Sequence, residues 1–281
     1  MPRERPYYSV RTGKNPQGGG FGLASALRLF LSVYEQLDRD GYFQEYLGFG
    51  CVDAGFIPGK LGEDIEAAIL LDLRKEGLWP IREKLEHYSE DDFFDMEEYL
   101  YDHATEGDKG YFHGFVDCGW HYETFKTDDS GKREYRSRIN RVLRAYGKGY
   151  ELDERGEIFS LPEPGYENIL SANLPSNDPE NIEAKVQAAV YKFTRARSTL
   201  DERRDAIRDL ADVLEFLRPQ LKTVLDSEDE SDLFNIANNF GIRHHNQNQK
   251  TNYDRNIWYS WLFYYYLSTI HASLRLIEKR S

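Results

Sequence analysis

The stretch TLDERRDAIRDLADVLEFL, residues 199–217, decides the architecture of the second half of this chain. Ile207, Leu210, Ala211, Leu214 and Leu217 recur at three- and four-residue steps, so one stripe of a 3.6-residue helix is apolar. Thr199 and Glu202 stand at the spacing of a capping box, in which each side chain satisfies the other's backbone N–H at the helix start. Pro219 lacks an N–H and is expected to end or kink this helix. Upstream, Ile182, Val186, Ala189, Val190 and Phe193 stripe another helix. Downstream, Ser227 with Glu230 forms a capping box before Leu233, Ile236 and Ala237, and Gly241 suits a left-handed stop. Asn256 to Lys279 reads as the last helix. Helices joined by such short connections predict an up-and-down bundle over residues 178–281.

Pro162 to Pro179, with four prolines, marks the boundary with a first domain over residues 21–165. Residues 1–20, rich in Gly, Pro and Arg, read as a mobile arm. From Phe21 to Leu47, Leu23, Leu27, Phe30, Leu31, Tyr34 and Leu37 give an amphipathic helix. Gly48 to Gly62 reads as a loop. Ile65, Ile69 and Leu73 mark a second helix, and Ser89 starts a third, with acidic first-turn residues that suit the helix dipole. Residues 107–131 read as irregular or stranded. A helix from Arg133 to Lys148 comes next, then a hairpin that turns through Asp153 to Gly156. The fold class is therefore α+β and mainly α: an α+β domain followed by a helical bundle.

Composition removes several function classes. Two cysteines, Cys51 and Cys118, do not make a disulfide scaffold and fit a reducing cytosol. The N-terminus has no apolar h-region, and the most apolar window, Ile257 to Leu267, is too short to span a bilayer. A cytoplasmic protein without a membrane partner is expected. Of the net charge of −13, −12 sits in the first 175 residues, which hold 21 basic against 33 acidic groups, while the remainder holds 15 against 16. Bulk acidity disfavours non-specific polyanion binding, so any nucleic-acid contact has to come from local basic faces. Neither a phosphate loop nor a Gly-x-Ser-x-Gly elbow occurs.

Two basic faces stand out. On a helical wheel Arg133, Arg136, Arg141, Arg144 and Lys148 fall opposite Tyr135, Ile139, Val142, Leu143 and Tyr146. They form either a solvated face paired to the domain's own carboxylates or a nucleic-acid contact. Arg195 and Arg197 end a helix, where cations suit the dipole, and are the second candidate groove. Trp258, Trp261, Phe263, Tyr264, Tyr265 and Tyr266 read as core plus a dimer face. His113, Cys118 and His121 have ligand chemistry, and Cys118-x-x-His121 has a spacing zinc tolerates. A fourth ligand, Cys51 or His103, would have to come from far away in sequence, so these are read as ordinary buried residues and no metal or cofactor is assigned.

Arg243-His244-His245-Asn246 carries the sharpest chemistry. Histidine exchanges a proton near neutral pH and arginine grips phosphate in a planar fork, which suits phosphodiester chemistry or anion binding. The bland alternative is an inter-helix loop whose polar groups cap helix ends. With Leu200 to Arg204, the run Asp232 to Asn238, Phe240 to Asn246 and the aromatic helix from Trp258, the C-terminal part resembles the HEPN superfamily of bacterial defence and toxin proteins. Cys118 to Tyr122, Gly149 to Leu152 and Gly156 to Ile158 resemble N-terminal domains of AbiJ-type abortive-infection proteins.

The resemblance implies metal-independent RNA cleavage. The ribose 2′-hydroxyl attacks the adjacent phosphorus, a histidine transfers the proton, and an arginine stabilises the phosphoryl charge. Arg243 would be the clamp, His244 or His245 the proton shuttle and Asn246 an orienting partner. The partners implied are RNA, a second copy through the bundle, and an antitoxin or defence-system protein. The family pattern places a further histidine where this chain has Gln247, Asn248, Gln249 and Lys250. The alternative is therefore a non-catalytic dimerisation module beside an N-terminal sensing or nucleic-acid-binding domain. A transcriptional regulator using the Arg133–Lys148 helix and its hairpin is a third class.

Overall fold

The apolar stripes of the first half form a helical core from which small hairpins project. The computed structural model describes residues 7–14, 20–163, 165–176, 178–226, 228, 231, 234 and 254–280. After a short α1 (Tyr8–Arg11), inside the expected arm, α2 (Leu23–Arg39) buries Ala26, Leu27, Phe30 and Leu37. The helix expected to reach Leu47 stops at Gly41, where φ is +84° and the Tyr122 ring lies where a Cβ would stand. The chain resumes as α3 (Gln44–Leu47), followed by β1 (Phe49–Cys51) and β2 (Gly55–Ile57). That antiparallel hairpin corrects the expected loop over Gly48 to Gly62: its turn glycines are a hairpin's own punctuation.

Next come α4 (Ile65–Leu73), α5 (Ile81–Lys84) and α6 (Glu90–Asp102). The last opens on a capping box between Ser89 and Asp92. β3 (Gly107–His113) and β4 (Gly119–Phe125) form the longest hairpin, then α7 (Ser130–Leu143) leads to a hairpin of β5 (Tyr150–Leu152) and β6 (Ile158–Ser160). Each hairpin is a separate two-stranded sheet. The core lies among α2, α6 and α7, where Phe30 meets Phe93 edge-on at 5.6 Å and Phe43 meets Tyr135 at 6.1 Å. Each such aromatic contributes about 1.5–3 kcal/mol on full burial.

Polar side chains lock the hairpins onto this core. The Asn140 amide on α7 donates to the Leu152 carbonyl at 3.0 Å and accepts from the Leu152 N–H at 2.8 Å. Gln44 treats β4 the same way, donating to Trp120 O at 2.7 Å and accepting from Tyr122 N at 3.1 Å. Each amide stands in for one residue of a neighbouring strand.

The chain divides into two compact units between Leu161 and Pro162. The division falls at the start of the expected Pro162 to Pro179 boundary; the proline-rich segment belongs to the second unit, where it carries α8 (Glu167–Ser171) and packs Tyr166, Ile169, Leu170 and Leu174 against the second core. That core is built by α9 (Ala184–Thr194), α10 (Leu200–Leu221) and α11 (Arg255–Arg280). Phe193 stacks on Phe263 at 3.9 Å and Tyr166 on Tyr264 at 3.9 Å. The Thr199–Glu202 capping box is present, and α10 ends two residues after Pro219. Most of the expected helix after Ser227, and Gly241, lie outside the described residues. Among the described residues, no helix is long and apolar enough to cross a membrane.

One buried acid makes the first core sensitive to pH. Glu97 is fully buried and accepts the Tyr135 hydroxyl at 2.6 Å, while its Oε1 has no partner among the described residues. Burial raises its pKa well above the ordinary carboxyl value, outweighing the Tyr135 hydrogen bond. The folded state holds this acid neutral, so its contribution is complete at low pH and is lost as pH rises from the ordinary carboxyl range through the folded pKa. Glu97→Gln should therefore lose less stability than the wild type between pH 5 and pH 8, by on the order of 1 kcal/mol. Urea unfolding at the two pH values measures this, and identical pH dependence in both proteins refutes it.

Candidate metal centre

The β1–β2 and β3–β4 hairpins meet at four side chains: Cys51, His113, Cys118 and His121. Their ligand atoms all lie within 4.8 Å of one another. Cys51 Sγ faces His113 Nδ1 at 3.8 Å, and Cys118 Sγ faces His121 Nε2 at 3.2 Å. A tetrahedral zinc ion with two sulfur and two nitrogen ligands sets neighbouring donors roughly 3.3–3.8 Å apart, given bonds of about 2.3 and 2.0–2.1 Å. The donor set therefore matches a Cys2His2 site, and soft thiolates with imidazoles select zinc over calcium or magnesium.

Local folding explains the convergence. Gly48 enters β1 at φ +77°, and a Cβ there would lie 2.3 Å from the Ile57 carbonyl oxygen, so only glycine lets the hairpin close. The turn between paired Cys51 and Gly55 leaves Cys51 at the distal end of its strand. In the longer hairpin His113 ends β3 opposite Gly119, and Tyr111 stands opposite His121. Strand alternation puts Tyr111, His113 and His121 on one face. The connection from Gly114 to Cys118 takes a helical turn with Val116 at φ +51°, and Gly119 follows at φ +94°.

Both imidazoles are held from behind. His113 presents Nδ1 to the cluster, and its Nε2 faces Asp53 Oδ2 at 3.2 Å. His121 presents Nε2, and its Nδ1 faces the Tyr111 hydroxyl at 3.2 Å. Outer partners of this kind fix the tautomer and ring orientation of metal-binding histidines. His121 is 2% exposed, and burial, with His113 alongside, lowers its pKa, which favours the neutral form that offers a lone pair. Phe49 closes over His121 with ring centroids 4.5 Å apart.

The sequence alone groups His113, Cys118 and His121, leaves the fourth position between Cys51 and His103, and assigns no metal; the structure brings Cys51 to the other three, because hairpin pairing joins positions as far apart as 51 and 113. His103 is not the fourth ligand. Its Nδ1 lies 2.7 Å from Tyr99 O, and its ring packs on Tyr46 and Tyr99. Cys118-x-x-His121 is the visible half of the signal. The half that sequence leaves open is the choice of Cys51 over His103, because the glycine-flanked hairpin that carries Cys51 reads as a loop.

The remaining candidates fall elsewhere. Arg243, His244, His245 and Asn246 lie outside the described residues. Arg136 pairs with Glu154 at 3.1 Å, Arg144 with Glu151 at 2.9 Å and Arg133 with Asp128 at 3.7 Å, so carboxylates of the same unit answer part of this face. Arg141 and Lys148 are exposed. Arg195 pairs with Glu202 at 2.7 Å, and Arg197 adopts φ +58°. Comparison with family models, curated proteins and solved structures returned no match.

If the imidazoles are oriented from behind, the partners should matter as much as for other metal-binding histidines. Asp53→Asn and Tyr111→Phe should each weaken zinc affinity by about 10–100-fold, whereas His103→Ala should leave it unchanged. Competition titration against a chromophoric chelator reads all three, and an affinity loss confined to His103→Ala would reverse the ligand assignment.

Proposed function

We propose that this chain is a zinc-binding protein whose N-terminal unit is held together by a structural Cys51–His113–Cys118–His121 centre. The observation that carries this reading is the convergence of four donor atoms within 4.8 Å, with the free nitrogen of each imidazole held by Asp53 or Tyr111. Four protein ligands saturate a tetrahedral ion and leave no position for substrate, so the centre supports structure rather than catalysis. Strands of three residues do not hold a hairpin in water alone, and an ion binding Cys51 would fasten the β1–β2 hairpin to its longer neighbour.

Metal analysis of the purified full chain tests this directly. One zinc per chain is expected, abolished in Cys51→Ser and in His121→Ala, with the helical circular dichroism of both variants largely retained. Chelation should lower the thermal midpoint by roughly 5–15 °C, the effect of removing about 3–4 kcal/mol of ligand stabilisation. Protein that neither carries zinc nor takes it up on reconstitution overturns the reading.

For the C-terminal helical unit, the reading is the RNA-directed effector activity that its sequence resembles. Its support is the Arg243-His244-His245-Asn246 cluster shortly before the aromatic helix α11. In this reading Arg243 holds the phosphate, His244 or His245 moves the proton, Asn246 orients it, and a second copy of the bundle completes the cleft. RNA incubated with purified protein, without added divalent metal, should yield 2′,3′-cyclic ends. Cleavage should fall to background in Arg243→Ala/His244→Ala/His245→Ala. No cleavage across a broad RNA panel favours the non-catalytic dimerisation module, and activity that survives the triple substitution places the site elsewhere.

A further inference from the structure

Two of the four donors are sulfurs, and neither is sealed in a core. Cys51 and Cys118 are free cysteines of intermediate exposure, whereas His121 is buried. Cys51 is the last residue of β1, paired with Gly55 across the turn, and Cys118 stands just before Gly119, the first residue of β4. Each sulfur therefore sits at the end of a strand rather than within a ladder. The Cys118 thiol reaches the strand that carries Cys51, donating to the Gly50 carbonyl at 3.7 Å. The two sulfurs are among donors that all lie within 4.8 Å of one another. A disulfide needs sulfurs about 2.05 Å apart, so less than about 3 Å remains to be closed. A change of staggered rotamer about one Cα–Cβ bond moves a sulfur about that far. The chain has no other cysteine, so each sulfur has only the other as a disulfide partner within the molecule.

We propose that Cys51 and Cys118 are a redox-modification site, at which a hydroperoxide, hydrogen peroxide being the simplest, forms a disulfide and the metal ion is released. The proposal rests on the metal reading, because coordination keeps both sulfurs as thiolates, the form that attacks an oxidant. One thiolate attacks a peroxide oxygen and the O–O bond breaks. A sulfenic acid forms, and the other oxygen leaves with a proton as water. The second thiolate then attacks the sulfenic sulfur, and its hydroxyl leaves with a second proton, again as water. The two sulfurs together give up two electrons, and the peroxide takes them. Proximity favours the disulfide over further oxidation, because a thiolate in the same site meets the sulfenic acid before a second peroxide does. A disulfide is no thiolate ligand, so only His113 and His121 remain, and the tetrahedral donor set is lost. The new bond crosses the gap that the ion had bridged. It joins the end of β1 to the start of β4, so the oxidised chain keeps these hairpins fastened after the metal has gone.

The test uses the full chain, loaded with zinc under reducing conditions and then freed of reductant, and its zinc content is measured first. Hydrogen peroxide is added in rising amounts to a small excess. A chromophoric chelator reads released zinc, while alkylation under denaturing conditions, intact mass and peptide mapping read the sulfurs. Nearly all bound zinc should be lost in step with both free thiols. The chain should become lighter by two hydrogens, and the non-reduced digest should contain a Cys51–Cys118 cross-linked peptide. Dithiothreitol with added zinc should restore both thiols and the bound metal. The oxidised, zinc-free chain should also melt at a higher temperature than reduced chain stripped by chelation, because the disulfide constrains the unfolded state. Zinc retained at excess peroxide, with both thiols still alkylatable, overturns the redox proposal and leaves the metal reading intact. So do sulfinic or sulfonic acid in place of the cross-link, disulfides between chains, or an oxidised chain that melts no higher than the chelated one. Protein that carries no zinc and takes none up fails at the first step and removes the metal reading itself.

Discussion

Closure of the β1–β2 and β3–β4 hairpins onto one another is the constraint on which the outer part of the first unit depends. A two-stranded hairpin of three-residue strands gains too little from its ladder to repay the order it imposes on its turn. β1–β2 nevertheless keeps its register, with Cys51 set opposite Gly55 and facing His113 across the gap to the neighbouring hairpin. The two hairpins share four polarizable or imidazole donors where a larger domain would place apolar core. A metal ion shared by these donors would replace hydrophobic burial with coordination bonds, a usual solution where a small element cannot bury enough surface.

The helical part of the same unit needs no such device. Phe30, Phe93, Met96, Tyr135 and Ile139 are all inaccessible to solvent, and the side-chain amides of Gln44 and Asn140 pin strands to helices by paired hydrogen bonds. Those amides act as templates, because each offers a donor and an acceptor in the geometry of a strand backbone. Removing one would leave both a carbonyl and an N–H of the hairpin without a partner. An unmade bond of this kind costs more than a made one contributes.

The legible part of the sequence was the part with a strong period. The stripes of α2, α6, α7, α9 and α10 fall on helices that three- and four-residue steps announce, since helix periodicity is written in consecutive residues. The β1–β2 hairpin escaped because three residues are too few to show alternation, and its glycines look the same in a loop. The prolines announce the boundary, but that the segment from Pro162 packs with the second unit has a tertiary reason: Tyr166 stacks on Tyr264, a pairing across about a hundred residues. The metal centre was half legible. Cys118-x-x-His121 is local, whereas Cys51 and His113 join it only through strand pairing, and His103 was an equal candidate until its ring was seen against Tyr46 and Tyr99.

The same logic bears on the basic helix. Arg133, Arg136, Arg141, Arg144 and Lys148 share a face in the wheel, and in isolation that face is a nucleic-acid footprint. In the folded unit the neighbouring hairpin brings Glu151 and Glu154 within ion-pair distance of Arg144 and Arg136. These exposed pairs contribute little stability, about 0–1 kcal/mol each. Their larger effect is on the long-range field, because a cation beside a carboxylate presents a dipole rather than a charge, and a polyanion is drawn by net charge. The pairs at Arg133, Arg136 and Arg144 therefore reduce the net charge that this stripe presents, while Arg141 and Lys148 stay exposed.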